Sequence, residues 1–198
     1  MESPTARVGI LGGTFDPIHL GHLAVASEVC AELGLDQVLL TPAHSQPFKL
    51  EADTASAEHR LAMCELAARD DERFAVSPVD IERGGVTYTV DTLADLREQR
   101  PDAELFFITG ADALERLDEW KEPDRLTEMA TFVGVTRPGH TFFEMKRPHI
   151  LVEAPALAIS STDVRHRVRA GRPIRYLVPR SVADYIALHG LYDGGFDD

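Results

Sequence analysis

Six short runs rich in apolar and β-branched residues, separated for the most part by segments with helical spacing, constrain this chain more than any other feature. The runs are "VGIL" (8–11), "QVLLT" (37–41), "FAVSPV" (74–79), "ELFFIT" (104–109), "TFVGVT" (131–136) and "HILVEA" (149–154), and they read as strands. Helical candidates cover 20–33, 57–69, 91–99, 112–118, 124–130, 162–170 and 181–189. The first carries apolar Leu20, Leu23, Val25, Ala26, Val29 and Leu33, with Gly34 placed to end it. Strands fed by helices build a parallel sheet that must be covered on both faces. The expectation is an α/β fold: a single doubly wound, mainly parallel, Rossmann-like sheet whose ligands lie at the carboxyl ends of the strands. At 198 residues the whole chain, 1–198, fits one domain, with 1–6 and 193–198 ("DGGFDD") as flexible ends.

Charge and composition exclude several functions. A net charge of −13 argues against a protein that coats nucleic acid, because that binding runs on clustered Lys and Arg. Phosphate recognition, if present, has to be local. No stretch approaches the ~20 apolar residues of a membrane span. The start "MESPTA" carries neither a basic nor an apolar targeting pattern, so the expected compartment is the cytoplasm. Cys30 and Cys64 sit among small and apolar residues and read as buried thiols in a reducing compartment.

The first strand runs into "GILGGTFDPIHLGH" (9–22). Gly12 and Gly13 lack a Cβ, so backbone amides there can approach an anion closely. Gly9, Gly12 and Gly13 do not form the GxGxxG of a dinucleotide-binding loop, which argues against a dehydrogenase. Asp16-Pro17 turns the chain, since the residue before proline is pushed out of the helical region. His19 and His22 then share roughly one face of the helix start, beside the loop amides. The pair also fits a helix cap with a surface histidine. Zinc ligation is a third option, for which no further ligands stand at a typical spacing.

A similar arrangement recurs near the other end. In "ISSTDVR" (159–165), Ser160 or Ser161 can cap a helix ending near Ala170, and Asp163 completes a capping-box spacing from Ser160. Three hydroxyls in a row exceed what a cap requires, and Arg165 falls in the first turn beside them. Hydroxyls, free helix amides and a guanidinium together suit a triphosphate.

These residues resemble a known pattern. "GGTFDPIHLGH" is similar to the (T/G)xFDPxHxGH signature of the nucleotidyltransferase superfamily, and "ISSTDVR" resembles the ISSTxxR element of the same proteins. The stretches "ERGGVTYTVDTL" (82–93), "FITGADAL" (107–114), "LDEWKEPDRL" (117–126), "VTRPG" (135–139) and "LVPRSVADYIALHGLY" (177–192) narrow the likeness to the bacterial nicotinate-mononucleotide adenylyltransferases, over Arg7 to Tyr192. Pantetheine-phosphate adenylyltransferases share the first motif but lack the "YTVDTL" and "GAD…W" pair. One loop departs from the pattern: where relatives read PPHK or PPHR, this chain has Gln46-Pro47-Phe48-Lys49 and loses the histidine, with His44 out of register.

The resemblance implies ATP contacts at Gly12, Gly13, Thr14, Phe15, His19, His22, Lys49, Ile159, Ser160, Ser161, Thr162 and Arg165. Among these, His19, His22 and Arg165 would carry catalysis. It implies a pyridine-nucleotide site at Tyr88, Thr89, Trp120 and Arg137, and a ribose contact at Asp112. Residue chemistry is compatible with each. Trp120 offers a flat face for a pyridine ring or packs in the core. Thr89 or Asp91 can cap the helix over 91–99, whose free amides would receive a carboxylate. Asp112 can accept ribose hydroxyl protons or cap a helix.

The implied reaction is attack of the 5′-phosphate of nicotinate mononucleotide on the α-phosphorus of ATP. That phosphate is ionised near neutral pH, so the step needs alignment and charge screening more than a general base. Mg²⁺ is expected as cofactor, held through the ATP phosphates with no protein metal site. The expected partners are ATP and nicotinate mononucleotide, with no nucleic acid and no membrane; homo-oligomerisation stays open. The rival readings are a sibling enzyme acting on nicotinamide mononucleotide or another phosphate, and a nucleotide-binding protein without turnover.

Overall fold

The computed structural model describes residues 5–45, 54–136, 147–155 and 157–194. Lys49 and Arg137, the loop residues 46–48, the segment "RPGH" at 137–140, and the ends 1–4 and 195–198 lie outside the described residues. Six strands form one sheet: β1 (Arg7–Gly13), β2 (Gln37–Pro42), β3 (Phe74–Val76), β4 (Glu104–Gly110), β5 (Thr131–Thr136) and β6 (Ile150–Glu153). Their order is β3-β2-β1-β4-β5-β6, and every pairing is parallel, where a mainly parallel sheet was expected. Among the described residues the helices are α1 (Leu20–Leu33), α2 (Ala57–Ala68), α3 (Val79–Arg83), α4 (Thr89–Gln99), α5 (Ala111–Leu114), α6 (Pro123–Met129), α7 (Ser161–Arg169) and α8 (Arg180–Leu188).

Alternation along the strands explains the two faces. Successive side chains of a strand point to opposite sides. Val8 and Ile10 of β1, Leu39 of β2, and Leu105 and Phe107 of β4 therefore share one buried cluster with Val90, Leu93 and Leu96 of α4 and Leu126 of α6. Leu11, Val38, Leu40, Phe106 and Ile108 enter the opposite cluster with Ala26 and Val29 of α1, Met63 of α2, Val164 of α7 and Val182 of α8. Gly9 is glycine for a packing reason: a Cβ there would come within 2.8 Å of Leu35.

Three expected elements differ in their bounds. The strand expected over 74–79 stops at Val76, because Pro78 lies at the N-cap of α3 and Val79 packs under α4. The helix expected over 112–118 is α5 followed by a separate 3₁₀ turn at Leu117–Glu119. Neither Thr89 nor Asp91 caps α4; Tyr88 is its N-cap, in extended conformation, and Thr89 is the first helical residue. The helices at 20–33, 57–68 and 161–169 follow the sequence pattern, with Gly34 closing α1 at φ 57.

The strand order reverses between β1 and β4, and this switch point fixes where a ligand can sit. The carboxyl ends there are Gly12-Gly13 and Thr109-Gly110.

Candidate active site

Two cavities, of about 490 and 480 Å³, open at this switch point on either side of the ends of β1 and β4. They share Gly12 and Thr109 as common wall. A Cβ on Gly12 would lie 3.4 Å from the Phe107 ring, an ordinary contact. The fold itself therefore tolerates a side chain at position 12, and what glycine preserves is open space between the cavities.

The first cavity is lined from two distant parts of the chain: Thr14, Asp16, His19 and His22 on one side, Ile159 through Thr162 and Arg165 on the other. His19 is the N-cap of α1, and its backbone amide donates to His22 Nδ1 at 3.2 Å. The two imidazoles stack with centroids 3.6 Å apart and an interplanar angle of 19°. Gly21 makes this stacking possible, since a Cβ there would meet the His19 ring at 3.0 Å. Burial holds the His19 imidazole down to about 4, only partly offset by its backbone hydrogen bond. Thr14 Oγ1 is buried and makes no hydrogen bond within the protein, so the cavity wall carries a polar atom that a ligand can meet.

Phe15 packs inside the motif. It is buried at φ 52, outside both cavity walls, and stands edge-on to His22 with centroids 5.0 Å apart. Gly13 makes room for it, a Cβ there coming within 3.0 Å of the Phe15 ring. Gly13 itself lines the second cavity.

The hydroxyls of the 160–162 run divide the work. Ser160 caps α7 by accepting from the Asp163 amide at 3.1 Å and donates to Asp163 Oδ2 at 2.7 Å. Ser161 donates to Pro17 O at 2.9 Å, tying this helix start to the first motif. Thr162 Oγ1 accepts from Arg165 Nη2 at 3.5 Å. Arg165 is buried, and its Nη1 donates to Asp16 O at 2.9 Å.

The supporting shell was not legible in the motifs. Arg60, 4% exposed, donates to Thr14 O at 2.8 Å, Ala43 O at 2.6 Å, His44 O at 2.8 Å and Ala55 O at 3.2 Å. One guanidinium thus holds the loop after β1 against the loop after β2. His44 joins the latter to the segment before α4, through Thr87 Oγ1 at 3.0 Å and Gly85 O at 3.0 Å.

The second cavity is lined by Tyr88, Thr89 and Trp120, as the sequence suggested, and by Asp80, Arg116 and Lys121, which it did not single out. Trp120 is half-buried: its ring meets Phe107 and Phe132 edge-on while its remaining surface faces the cavity. Packing and cavity-lining coexist there. Lys121 Nζ lies 4.8 Å above the Tyr88 ring and 3.0 Å from Asp91 Oδ2. Asp80 is buried, accepts from Thr92 Oγ1 at 2.7 Å and pairs with Arg83; burial pushes its carboxyl up, against those two partners. Asp112 is exposed in the first turn of α5, outside both cavity walls, and the cap of that helix is Gly110.

Comparison with known proteins follows the same lines. Residues 10–167 match the cytidylyltransferase-like family. The chain is 55% identical over 188 residues to a protein of Arthrobacter sp. (strain FB24) named "Probable nicotinate-nucleotide adenylyltransferase", covering 94% of this chain and 92% of the relative. A relative of the same name from Clavibacter michiganensis is 53% identical over 193 residues, with 96% of each chain covered. The solved Plasmodium falciparum nicotinic acid mononucleotide adenylyltransferase complexed with NaAD superposes with a TM-score of 0.78 at 20% identity, over 95% of this chain and 98% of that one. At that identity the likeness concerns the fold.

Proposed function

The chain belongs to the nicotinate-nucleotide adenylyltransferase family, within the cytidylyltransferase-like nucleotidyltransferases, and from that premise we infer its reaction and the role of each cavity. The enzyme transfers the adenylyl group of ATP to nicotinate mononucleotide, giving nicotinate adenine dinucleotide and pyrophosphate, a step of NAD biosynthesis. In this reading ATP, as its Mg²⁺ complex, occupies the first cavity and nicotinate mononucleotide the second. The observation that carries it is the pair of similar cavities meeting only at Gly12 and Thr109, which lets two polyanions be held apart and touch at one point.

The attacking phosphate oxygen needs no proton removed near neutral pH, so catalysis rests on alignment and on screening charge at the α-phosphorus. His19, buried and neutral, offers a polar ring at the cavity wall, and His22 lies stacked beneath it. Arg165 and the α7 amides face the triphosphate from the opposite side. In the second cavity Trp120 and Tyr88 provide flat surfaces for the pyridine ring, and the start of α4 with Lys121 provides positive potential for its carboxylate. Asp112, outside the cavity walls, has no ribose contact in this reading.

Among the described residues no helix is long and apolar enough to cross a membrane. The buried Cys30 and Cys64 thiols fit a reducing compartment, and we assign the reaction to the cytoplasm on that ground.

The test is pyrophosphate release by the purified protein with MgATP and either nicotinate mononucleotide or its amide, with chromatographic identification of the product. Strong preference for the acid is expected. Equal use of both would remove the carboxylate pocket from this reading, and ATP binding without turnover would mark a binding-only protein.

A further inference from the structure

Tyr192 lies beyond α8 in the last turn of the described chain, 9% exposed, in the cluster that also holds residues of α1, α2 and α7. Its backbone stands at φ 66, a conformation a residue of this size keeps only where its surroundings hold it there. Packing would be served equally by a phenyl ring. The hydroxyl instead reaches Asp16, at the corner of the first motif, and donates to Oδ1 at 2.6 Å. The Ala55 amide donates to the same oxygen at 3.0 Å. Oδ2 accepts no hydrogen bond and lies 3.5 Å from Arg165 Nη1. Burial, reinforced by the Asp16 charge, drives the phenol far above its ordinary range, so it stays a protonated donor.

We propose that Tyr192 is a positioning residue for the triphosphate: by taking Asp16 Oδ1 it directs Oδ2 toward Arg165, and so sets the guanidinium in the wall of the first cavity. The proposal rests on reading that cavity as the ATP site. It makes the turn after α8 part of the active site through one hydroxyl, at a sequence distance of 176 residues from Asp16.

Tyr192→Phe keeps the ring and removes only the donor. Titration calorimetry should show the MgATP Kd rising about tenfold, the scale of a lost hydrogen bond to a charged group. The Kd of nicotinate mononucleotide should stay unchanged, because its cavity shares only Gly12 and Thr109 with the first. Arg165→Lys should weaken MgATP on its own, and the double variant should lose less than the sum of the two, as residues acting through one contact do. Equal weakening of both ligands, or strictly additive losses, would overturn the proposal and leave Tyr192 as a packing residue. An Arg165→Lys protein with wild-type MgATP affinity would overturn the ATP-site reading itself, and the proposal with it. Ser181→Ala, which deletes the α8 bond to Leu66 O and leaves Asp16 alone, is the packing control: a lower Tm with both Kd values kept. Should Tyr192→Phe fail to fold, Asp16→Asn carries the same expectation of a selective MgATP loss, and an unchanged MgATP Kd in that variant would overturn the proposal.

Discussion

His19 offers the most quantitative test, because the chain buries an imidazole where a folded protein can least accommodate its charge. In the unfolded chain His19 takes up a proton near pH 6.5, whereas burial delays this to about 4 in the folded protein. Between those values the unfolded state binds more protons, so stability drops as the pH is lowered, by about 1.4 kcal/mol per unit for one group. His19 costs nothing above about pH 6.5; by pH 5 it removes about 2 kcal/mol, and close to 3 kcal/mol once pH drops below 4. His19→Gln keeps a polar side chain without a titration. Urea unfolding of wild type and variant at pH 7.5 and pH 5, at fixed ionic strength, isolates the effect: wild type should lose about 2 kcal/mol more than the variant across that interval. Parallel stability curves would refute the reasoning and mean that His19 titrates as if exposed. MgATP should reverse part of the loss, since bound phosphate favours the imidazolium.

Other outcomes follow from contacts already described. Gly12→Ala should leave Tm unchanged, its Cβ meeting Phe107 at an ordinary 3.4 Å, while kcat/KM for both substrates falls about hundredfold; retained turnover would show that the shared wall is not the reaction point. Trp120→Ala should raise the KM for nicotinate mononucleotide about tenfold and spare MgATP binding, and an unchanged KM would return Trp120 to packing alone. Lys121→Met leaves Asp91 without its cation beside the start of α4, so the ratio of acid to amide kcat/KM should fall about tenfold; an unaltered ratio would locate acid recognition elsewhere. Arg60→Met strips four carbonyls of their donor and should cost about 3 kcal/mol or more in urea unfolding, and a loss under about 1 kcal/mol would mean the two loops are held by other contacts.

Legibility from sequence divided along a physical line. The winding of the sheet, the helix starting near Leu20 and the two cap-like motifs were visible, because periodicity and capping are local and leave their pattern within a few residues. The residues that hold the motifs in shape were not. Arg60 grips Thr14 from 46 residues away, and the Asp16 carboxylate is met by Ala55, Arg165 and Tyr192 from three distant parts of the chain. A lone charged residue in a helical pattern reads as surface until the fold shows what it faces. Phe15 and Gly13 show the same limit. The phosphate-binding signature carries no sign that Phe15 packs edge-on against His22 or that Gly13 supplies the room for its ring. At 74–79 the apolar run continues through Pro78-Val79, which open a helix, so the pattern reads as a longer strand than the one that forms.

The hydrogen bonds from Ser161 to Pro17 and from Arg165 to Asp16 span 144 and 149 residues and are made between protein atoms alone. Nearly the entire sheet is thus a closed loop stapled at its neck. The entropy of bringing two ends of a long polymer together is settled when the protein folds, and a nucleotide arriving at the neck meets a frame already assembled. Its binding energy is left for the reacting phosphates.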